Sequence, residues 1–388
     1  MSKKLRALVH GSGFAGQGHT EAFRNAGVEI SGMVSRTKSV VENIANQMNI
    51  EYASTDWDKA LAEIKPDIAI IGTPGGAHFN PILSAIEYGC HIFCDKPLAT
   101  TSEKAKQLYK EAKKKGVKTA FGASFRYQPH ALLAKEMVAK GDIGVPYEVE
   151  CISHYNLELL IPWGWSHKID LGGGRLSNNF THKLSIVENV LNGRVRRING
   201  ETRNDMHVAP VVEGVHDFRK RKEFAPTRRE ALKNPERWEW RDVDSEWTYT
   251  VMGRLQSEVS NNTKDTVSLL FKHCGIQPRF NNDYIAFFGS EGAIHIEGAY
   301  AQGPLYLHTR DSQKWEKIPL PENIRKSVPE IAGDTQRNWT YLVQEFVNDI
   351  LGKGYTGYQT FREGWIYQEI VDSIRRADGW FLVPEDIS

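Results

Sequence analysis

Short apolar runs alternate with helical patterns of apolar positions up to residue 121 of the chain. This alternation is typical of βαβ units around a parallel sheet. The run at residues 68–71 (IAII) is apolar throughout, as in a strand that helices cover on both faces. We predict strands at residues 5–9, 28–34, 67–71, 91–94 and 118–121, and helices at 16–26, 38–48, 57–64, 78–88 and 102–115.

The pattern changes after residue 121, where strand-like runs are grouped together. Grouped strands are typical of an α+β domain with an antiparallel or mixed sheet. We therefore expect an N-terminal doubly wound α/β domain over residues 1–122 and an α+β domain over 123–388, in which the highly charged residues 201–246 form an insertion or long loop. In the second domain we predict strands at 147–155, 247–255, 266–273, 284–288 and 293–296, and helices at 129–139, 182–191, 339–351 and 361–377.

Composition narrows the classes of function. The chain has 388 residues with 49 Lys and Arg against 48 Asp and Glu, so its net charge favours neither nucleic acid nor anionic membranes. No apolar run approaches the length of a membrane span, and none follows Met1 as in a secretory signal. Cys90 and Cys94 lack the second ligand pair that zinc sites use. We expect a cytoplasmic protein without a metal site, a nucleic-acid partner or a membrane partner.

A glycine-rich turn follows the first predicted strand. The sequence GSGFAG that begins at Gly11 has the spacing G-x-G-x-x-G between a strand and a helix, the context in which this pattern binds a dinucleotide. Gly11 would allow the tight turn, Gly13 the approach of the pyrophosphate, and Gly16 the packing of helix on strand. Phosphates would also meet the first amide groups of the helix, at Phe14 and Ala15.

The end of the second predicted strand bears on the choice of dinucleotide. An NAD-dependent enzyme usually has an acidic residue there, which bonds the ribose 2′-hydroxyl. This chain has Ser35 and Arg36, which can hold a 2′-phosphate, so we favour NADP(H) over NAD(H). An ordinary surface arginine is the alternative. Thr73, Pro74 and His78 follow the next strand and are expected beside the same crevice, although turns and helix caps also use such residues.

A series of motifs runs through most of the chain. Besides the glycine turn, they are residues 72–74 (GTP) with His78, 89–97 (GCHIFCDKP), 126–129 (RYQP), 141–146 (GDIGVP), 172–174 (GGG) with His182, and 288–292 (FGSEG). Together they resemble the glucose–fructose oxidoreductase, inositol dehydrogenase and rhizopine-catabolism (Gfo/Idh/MocA) family. The resemblance implies a Rossmann domain and a second domain whose large open, mainly antiparallel sheet forms a homodimer or homotetramer.

The resemblance also implies the catalytic residues. A lysine near the nicotinamide corresponds to Lys96, with Asp95 at the family's usual glutamate position; an ammonium there stabilises negative charge on a substrate oxygen. An aspartate and a histidine four residues apart share one helix face. Here Asn178 stands at the aspartate position, and an amide cannot take a proton. We expect His182, with a pKa suited to neutral pH, to act as the general base.

We therefore predict an NAD(P)-dependent oxidoreductase that transfers hydride between nicotinamide and a carbinol carbon of a sugar, sugar derivative or cyclic polyol. One alternative is a glycosidase that acts by transient oxidation. A non-catalytic dinucleotide-binding regulator is another alternative, since a regulator would not need the family's aspartate at the position of Asn178. The polar and aromatic residues that we expect to contact the substrate are Arg126, Tyr155, Trp163, Trp165 and Asn179.

Overall fold

A six-stranded parallel sheet forms the N-terminal part of the chain. The computed structural model describes residues 4–155, 161–212, 228–259, 266–276 and 283–386. The strands of this sheet are β1 (Arg6–His10), β2 (Glu29–Val34), β3 (Ala53–Ser54), β4 (Ile68–Ile71), β5 (His91–Cys94) and β6 (Thr119–Phe121). Their order, β3-β2-β1-β4-β5-β6, is that of a doubly wound dinucleotide-binding sheet. The five predicted strands are confirmed, and β3 is an addition too short to show in the pattern.

Helices cover both faces of this sheet, and their ends follow local signals. In the last of them the Thr101 hydroxyl accepts a hydrogen bond from the Lys104 amide, and Gly116 ends the helix with φ of +73°. The helices, which confirm the prediction to within two residues at each end, are α1 (Phe14–Asn25), α2 (Lys38–Gln47), α3 (Trp57–Ile64), α4 (Phe79–Glu87) and α5 (Ser102–Lys115).

The second part of the chain is built on a nine-stranded sheet. Its order is β16-β15-β14-β13-β7-β12-β11-β8-β17, and β7 and β12 are the parallel pair among the described strands, so the mainly antiparallel sheet is confirmed. The strands of this sheet are β7 (Pro146–His154), β8 (Gly193–Arg203), β11 (Thr248–Ser257), β12 (Val267–Cys274), β13 (Tyr284–Gly289), β14 (Gly292–Glu297), β15 (Leu305–Thr309), β16 (Glu316–Ile318) and β17 (Phe381–Leu382). Two more strands, β9 (Val208–Pro210) and β10 (Trp240–Asp242), pair with each other in a separate sheet.

Some strands of this sheet were not predicted. Strand β8 is the longest of them, and its fully buried apolar positions are Val195 and Ile198 among arginines. Two apolar positions give little periodic signal, because the outward face carries charge. The helices here are α6 (Pro129–Lys140), α7 (Thr181–Val190), α8 (Arg228–Lys233), α9 (Glu322–Ser327), α10 (Asp334–Ile350) and α11 (Phe361–Arg376). Among the described residues, no helix combines the length and apolarity that crossing a membrane requires.

Helix α10 returns to the N-terminal sheet and packs against α1. The Trp339 ring lies so close to Gly18 that a Cβ atom there would come within 2.1 Å of it. The Gln336 side chain donates to the Gly18 carbonyl oxygen at 2.9 Å. The division of the chain near residue 122 stays a prediction, and α10 shows that the two parts share a core.

Residues 201–246, which we expected to form an insertion or long loop, contain strands at both ends. Residues 201–203 complete β8, and β9 pairs with β10. The middle of the segment, residues 213–227, lies outside the described residues. A small satellite core forms here from Met206, Ala209, Val243 and Trp247, with Trp163 packed against it. Apolar residues scattered among charges gave no period, yet they meet in the folded chain.

Candidate active site

The glycine-rich turn lies at the carboxyl end of β1. Gly11 has φ of +123°, and a Cβ atom on Gly16 would lie 2.0 Å from the Gly11 carbonyl oxygen, so glycine alone lets α1 pack this closely. A Cβ atom on Gly13 would meet nothing within 4 Å. This open face adjoins the first amides of α1, those of Phe14 and Ala15, and no acidic side chain competes in that turn. The turn therefore fits the pyrophosphate of a dinucleotide.

Ser35 and Arg36 lie beside this turn, at the carboxyl end of β2. The Ser12 hydroxyl donates to the Ser35 hydroxyl at 3.0 Å, which joins the glycine turn to the end of β2. Arg36 is exposed, and its guanidinium has no ion pair among the described residues. The two predicted ribose contacts are therefore brought to the edge where a dinucleotide-binding sheet holds the adenine ribose.

Three loops meet next to the turn. A Cβ atom on Gly75 would lie 2.8 Å from the Pro97 ring and 3.3 Å from Gly172 Cα. The His78 ring nitrogens lie 2.7 Å from the Thr73 carbonyl oxygen and 2.8 Å from that of Pro97. His78 is fully buried, so it positions the two loops that follow β4 and β5. The Thr73 hydroxyl is buried without a hydrogen-bond partner among the described residues, as expected of a ligand contact.

Lys96 follows β5, and its ammonium donates to the Asn178 carbonyl oxygen at 2.7 Å. The Asn178 amide nitrogen donates to the carbonyl oxygens of Gly174 at 2.8 Å and Gly172 at 3.3 Å. These contacts orient the amide, with its oxygen toward the ammonium and its nitrogen toward the backbone. Burial lowers the pKa of Lys96 from its ordinary value, an effect that the Asp95 carboxylate opposes.

His182 lies one turn beyond Asn178, where the π-helical residues Leu176–Phe180 run into α7. It is 6% exposed and packs edge-on against Phe125, with ring centroids 4.6 Å apart. Our expectation of a near-neutral pKa is wrong, because burial and then the Lys96 charge lower the pKa of His182 to about 3. The imidazole is therefore neutral, and its Nδ1 has no hydrogen-bond partner among the described residues.

Asn179 joins a cluster of tyrosines next to His182. Its amide nitrogen donates to the Tyr300 hydroxyl at 2.7 Å and to that of Tyr155 at 3.4 Å. Its carbonyl oxygen accepts from the Tyr249 hydroxyl at 2.5 Å. Because Asn179 is 1% exposed and its amide is fully engaged, it orients these phenols. The ring of Tyr300 lies 5.7 Å from that of His182, which brings the cluster to the site.

Arg175 is a candidate that the sequence did not indicate. Its guanidinium carbon lies 4.4 Å from the ring centroid of Trp247 and 5.8 Å from that of Tyr155. Its charge lowers the pKa of Lys96. Tyr155, whose ring lies beside Arg175, accepts a hydrogen bond from Asn179 and so links Arg175 to the tyrosine cluster. The sequence signal that could have indicated Arg175 was its position between the glycine triplet and Asn178.

Three predicted substrate contacts form no described hydrogen bond or ring contact with Lys96, Asn178 or His182. Arg126 donates to the Asn189 side chain at 2.6 Å, seven residues beyond His182 along α7, and is not brought to Lys96. Trp163 packs in the satellite core that also contains Trp247. Trp165 is half-buried in a short 3₁₀ turn. Among the described residues, no group of three His, Cys, Asp or Glu side chains could hold a metal ion.

The chain is similar in sequence to several curated sugar dehydrogenases. It is 25% identical to the levoglucosan dehydrogenase of Pseudarthrobacter phenanthrenivorans over 199 residues, which are 48% of this chain and 50% of that protein. It is 28% identical to the D-glucoside 3-dehydrogenase of Escherichia coli over 195 residues, 49% of this chain and 55% of that protein. The chain thus spans about half the length of the curated relatives that it matches.

The fold is similar to a solved structure of levoglucosan dehydrogenase in complex with NADH and L-sorbose. The TM-score is 0.81 at 17% identity, over 98% of this chain and 99% of that one. Residues 5–123 match the model of an oxidoreductase family with an NAD-binding Rossmann fold. Residues 131–298 match the Gfo/Idh/MocA C-terminal domain. Together the two matches cover most of the chain with the characteristic domains of one family. The chain therefore belongs to the Gfo/Idh/MocA oxidoreductase family.

Proposed function

We propose that this protein is an NAD(P)-dependent oxidoreductase that acts on a carbinol of a sugar, sugar derivative or cyclic polyol. The observation that carries the proposal is the group formed by Lys96, Asn178 and His182 at the carboxyl edge of the parallel sheet that bears the glycine turn. The bound nicotinamide supplies the hydride acceptor or donor, so that a carbinol that loses hydride and a proton becomes a carbonyl.

The protein side chains handle the proton and the charge on oxygen. Neutral His182 accepts the hydrogen bond of the substrate hydroxyl and takes its proton, which its unprotonated state allows. The Lys96 ammonium stabilises the alkoxide that forms. Asn178 orients the Lys96 ammonium and offers an amide oxygen that cannot take a proton. Because an alkoxide beside His182 favours the imidazolium, the pKa of that ring rises as the proton moves.

The cofactor choice and the assembly are further parts of the proposal. The exposed guanidinium of Arg36, with the Ser35 hydroxyl beside it, supports NADP(H) as the favoured cofactor. Half-exposed apolar side chains on or next to the large sheet, Tyr147, Met252 and Trp315, support a homodimer or homotetramer. Light scattering on a sizing column gives the mass in solution, and a monomer at micromolar concentration would contradict the assembly.

The first experiment follows the absorbance of reduced nicotinamide while cofactor-loaded protein meets a panel of sugars, inositols and glycosides. Lys96→Ala and His182→Ala are measured beside the unchanged protein, and chromatography identifies the products. We expect substrate-dependent cofactor turnover that falls about 10²- to 10⁴-fold in both variants. Bound cofactor with no redox change for any compound would contradict the proposal. Glycoside cleavage without net redox change would instead indicate a glycosidase.

A further inference from the structure

The Arg175 guanidinium has no carboxylate partner among the described residues. The Glu246 carboxylate acts on the charge of Arg175, but it already accepts hydrogen bonds from Arg375 at 3.0 and 3.2 Å. Glu246 also accepts from the Leu176 amide at 2.9 Å. Arg375 therefore pairs with the carboxylate that Arg175 would otherwise use, and no side chain within the described part of the chain forms an ion pair with Arg175.

Two aromatic rings lie against this guanidinium. Its carbon is 4.4 Å from the ring centroid of Trp247 and 5.8 Å from that of Tyr155. No hydrogen bond from the guanidinium nitrogens of Arg175 to a described residue is present. The N–H groups of this guanidinium are therefore available, and a guanidinium edge matches an oxyanion in two parallel hydrogen bonds. Burial also lowers the pKa of Arg175, so this environment disfavours the bare cation.

The rest of the cleft adds positive charge. The acceptor for the Lys96 ammonium is the neutral amide of Asn178, at a position where the family usually has an aspartate. The carboxylate of Asp95 lies 3.8 Å from the His19 ring, and its pKa falls to about 2 because His19 and Lys96 outweigh the effect of burial. The Asp95 carboxylate acts on Lys96, and that of Glu246 pairs with Arg375, so Arg175 adds a positive charge that forms no ion pair with a described carboxylate.

We infer that this site selects sugars that carry an oxyanion, a carboxylate or a phosphoryl group, and that Arg175 binds that oxyanion. The inference rests on the proposed hydride transfer and specifies its substrate class. The charged group of the sugar lies on the N–H edge of Arg175, while the reacting carbinol lies between Lys96 and His182. A neutral sugar leaves the guanidinium without a partner, which is unfavourable once water is excluded.

The test compares sugars that differ by one charged group. D-Glucuronate and glucose 6-phosphate are each compared with D-glucose, and D-gluconate with D-glucitol. Binding to the protein loaded with reduced cofactor is followed by the fluorescence of the bound nicotinamide, which requires no turnover, and kcat/KM is measured with the oxidised cofactor. We expect at least one charged member of a pair to bind about ten- to hundred-fold more tightly than its neutral counterpart. The carboxylate and phosphate arms decide which oxyanion is preferred.

The variants isolate the charge of Arg175. Arg175→Met keeps an unbranched apolar stem against Trp247, and we expect it to abolish the preference for the charged sugar, while Arg175→Lys retains part of it. Arg197→Met is the matched control, because Arg197 also covers a tryptophan ring, at 5.1 Å from Trp380, but is exposed on the large sheet. Thermal melting checks the fold. If Arg175→Met does not fold, the lysine variant and the paired sugars decide.

Three results would overturn the inference. Charged and neutral sugars could bind equally well, Arg175→Met could weaken both to the same degree, or the same variant could weaken the reduced cofactor itself. The last result would assign Arg175 to the cofactor. Failure of the proposed function looks different: no compound changes the redox state of the nicotinamide, yet charged sugars still bind in a manner that depends on Arg175.

Discussion

The two walls of the cleft are built by different means. The wall formed by the glycine turn consists of backbone, in which Gly11 and Gly16 touch and Gly13 leaves open space. The facing wall consists of side chains from distant parts of the chain, among them Lys96 and Arg175. Backbone walls depend on local conformation, whereas the side-chain wall depends on burial and on which charges are neighbours.

This difference teaches where variation is tolerated. A dinucleotide offers the same phosphates to every enzyme that binds it, so amides and open space suffice for the first wall. Substrates differ in charge and shape, and a wall of side chains can change one residue at a time. Asn178 is an example, because its amide meets two backbone carbonyl oxygens where a carboxylate would be repelled.

The largest expected effect tests the backbone wall. A valine at Gly16 would place atoms within 2.0 Å of the Gly11 carbonyl oxygen, so Gly16→Val is expected to lose more than about 3 kcal/mol and fail to fold. Gly13→Ala is the matched control, since its Cβ meets nothing within 4 Å. That variant should melt like the unchanged protein, yet bind cofactor about tenfold more weakly or worse. Thermal melting measures the stability of the two variants, and cofactor titration measures the affinity of Gly13→Ala. Unaltered cofactor affinity in Gly13→Ala would contradict a pyrophosphate site at this turn.

The next effect concerns the side-chain wall in acid. His273 is buried in this wall, with its ring centroid 4.9 Å from that of Tyr155. Burial lowers the pKa of His182 to about 3 and that of His273 well below its ordinary value of 6.5. As the pH falls below 6.5, these histidines bind protons in the unfolded chain but not in the folded chain. The free energy of unfolding therefore decreases from pH 6.5 down to about pH 3 for His182. We expect each histidine to cost about 1.4 kcal/mol per pH unit there. Urea unfolding at several pH values tests this, and His182→Gln and His273→Gln should each flatten the slope.

A smaller effect separates the two roles of Asn178. In Asn178→Asp a carboxylate oxygen would face the carbonyl oxygens of Gly172 and Gly174, which should cost about 1–3 kcal/mol of stability. The other oxygen would pair with Lys96 and raise the lowered pKa of that ammonium. Loss of activity at alkaline pH, where Lys96 loses its proton, should therefore move to higher pH. A pH profile of kcat/KM that does not move would show that the Lys96 charge is not required.

The smallest effect returns to the edge of the backbone wall. Arg36 is exposed and has no ion pair among the described residues, so Arg36→Ala should leave folding unchanged. If its guanidinium holds a 2′-phosphate, the affinity for NADPH should fall about tenfold relative to NADH. Titration of both reduced cofactors measures the ratio. An unchanged ratio would mean that the NADP preference is wrongly explained.

The backbone wall could be predicted from sequence to a large extent. The spacing of Gly11, Gly13 and Gly16 between an apolar strand and a helix is a local signal, and the turn is formed by those residues alone. On the side-chain wall, Lys96 and His182 were predicted from the family resemblance. Arg175 and Tyr300 were not, because their neighbours lie far along the chain, and Arg126 was expected here although it binds Asn189 instead.

By itself the sequence determined what depends on short segments: the alternation of strands and helices, the caps that end α5, and the glycine turn. These follow from backbone conformation and local periodicity, which neighbouring residues control. Tertiary structure alone decided which charges share the cleft. Glu246 pairs with Arg375 rather than with Arg175. Burial lowers the pKa of His182 from near neutrality to about 3. Both results depend on burial and on contacts between distant segments, and no stretch of sequence contains either.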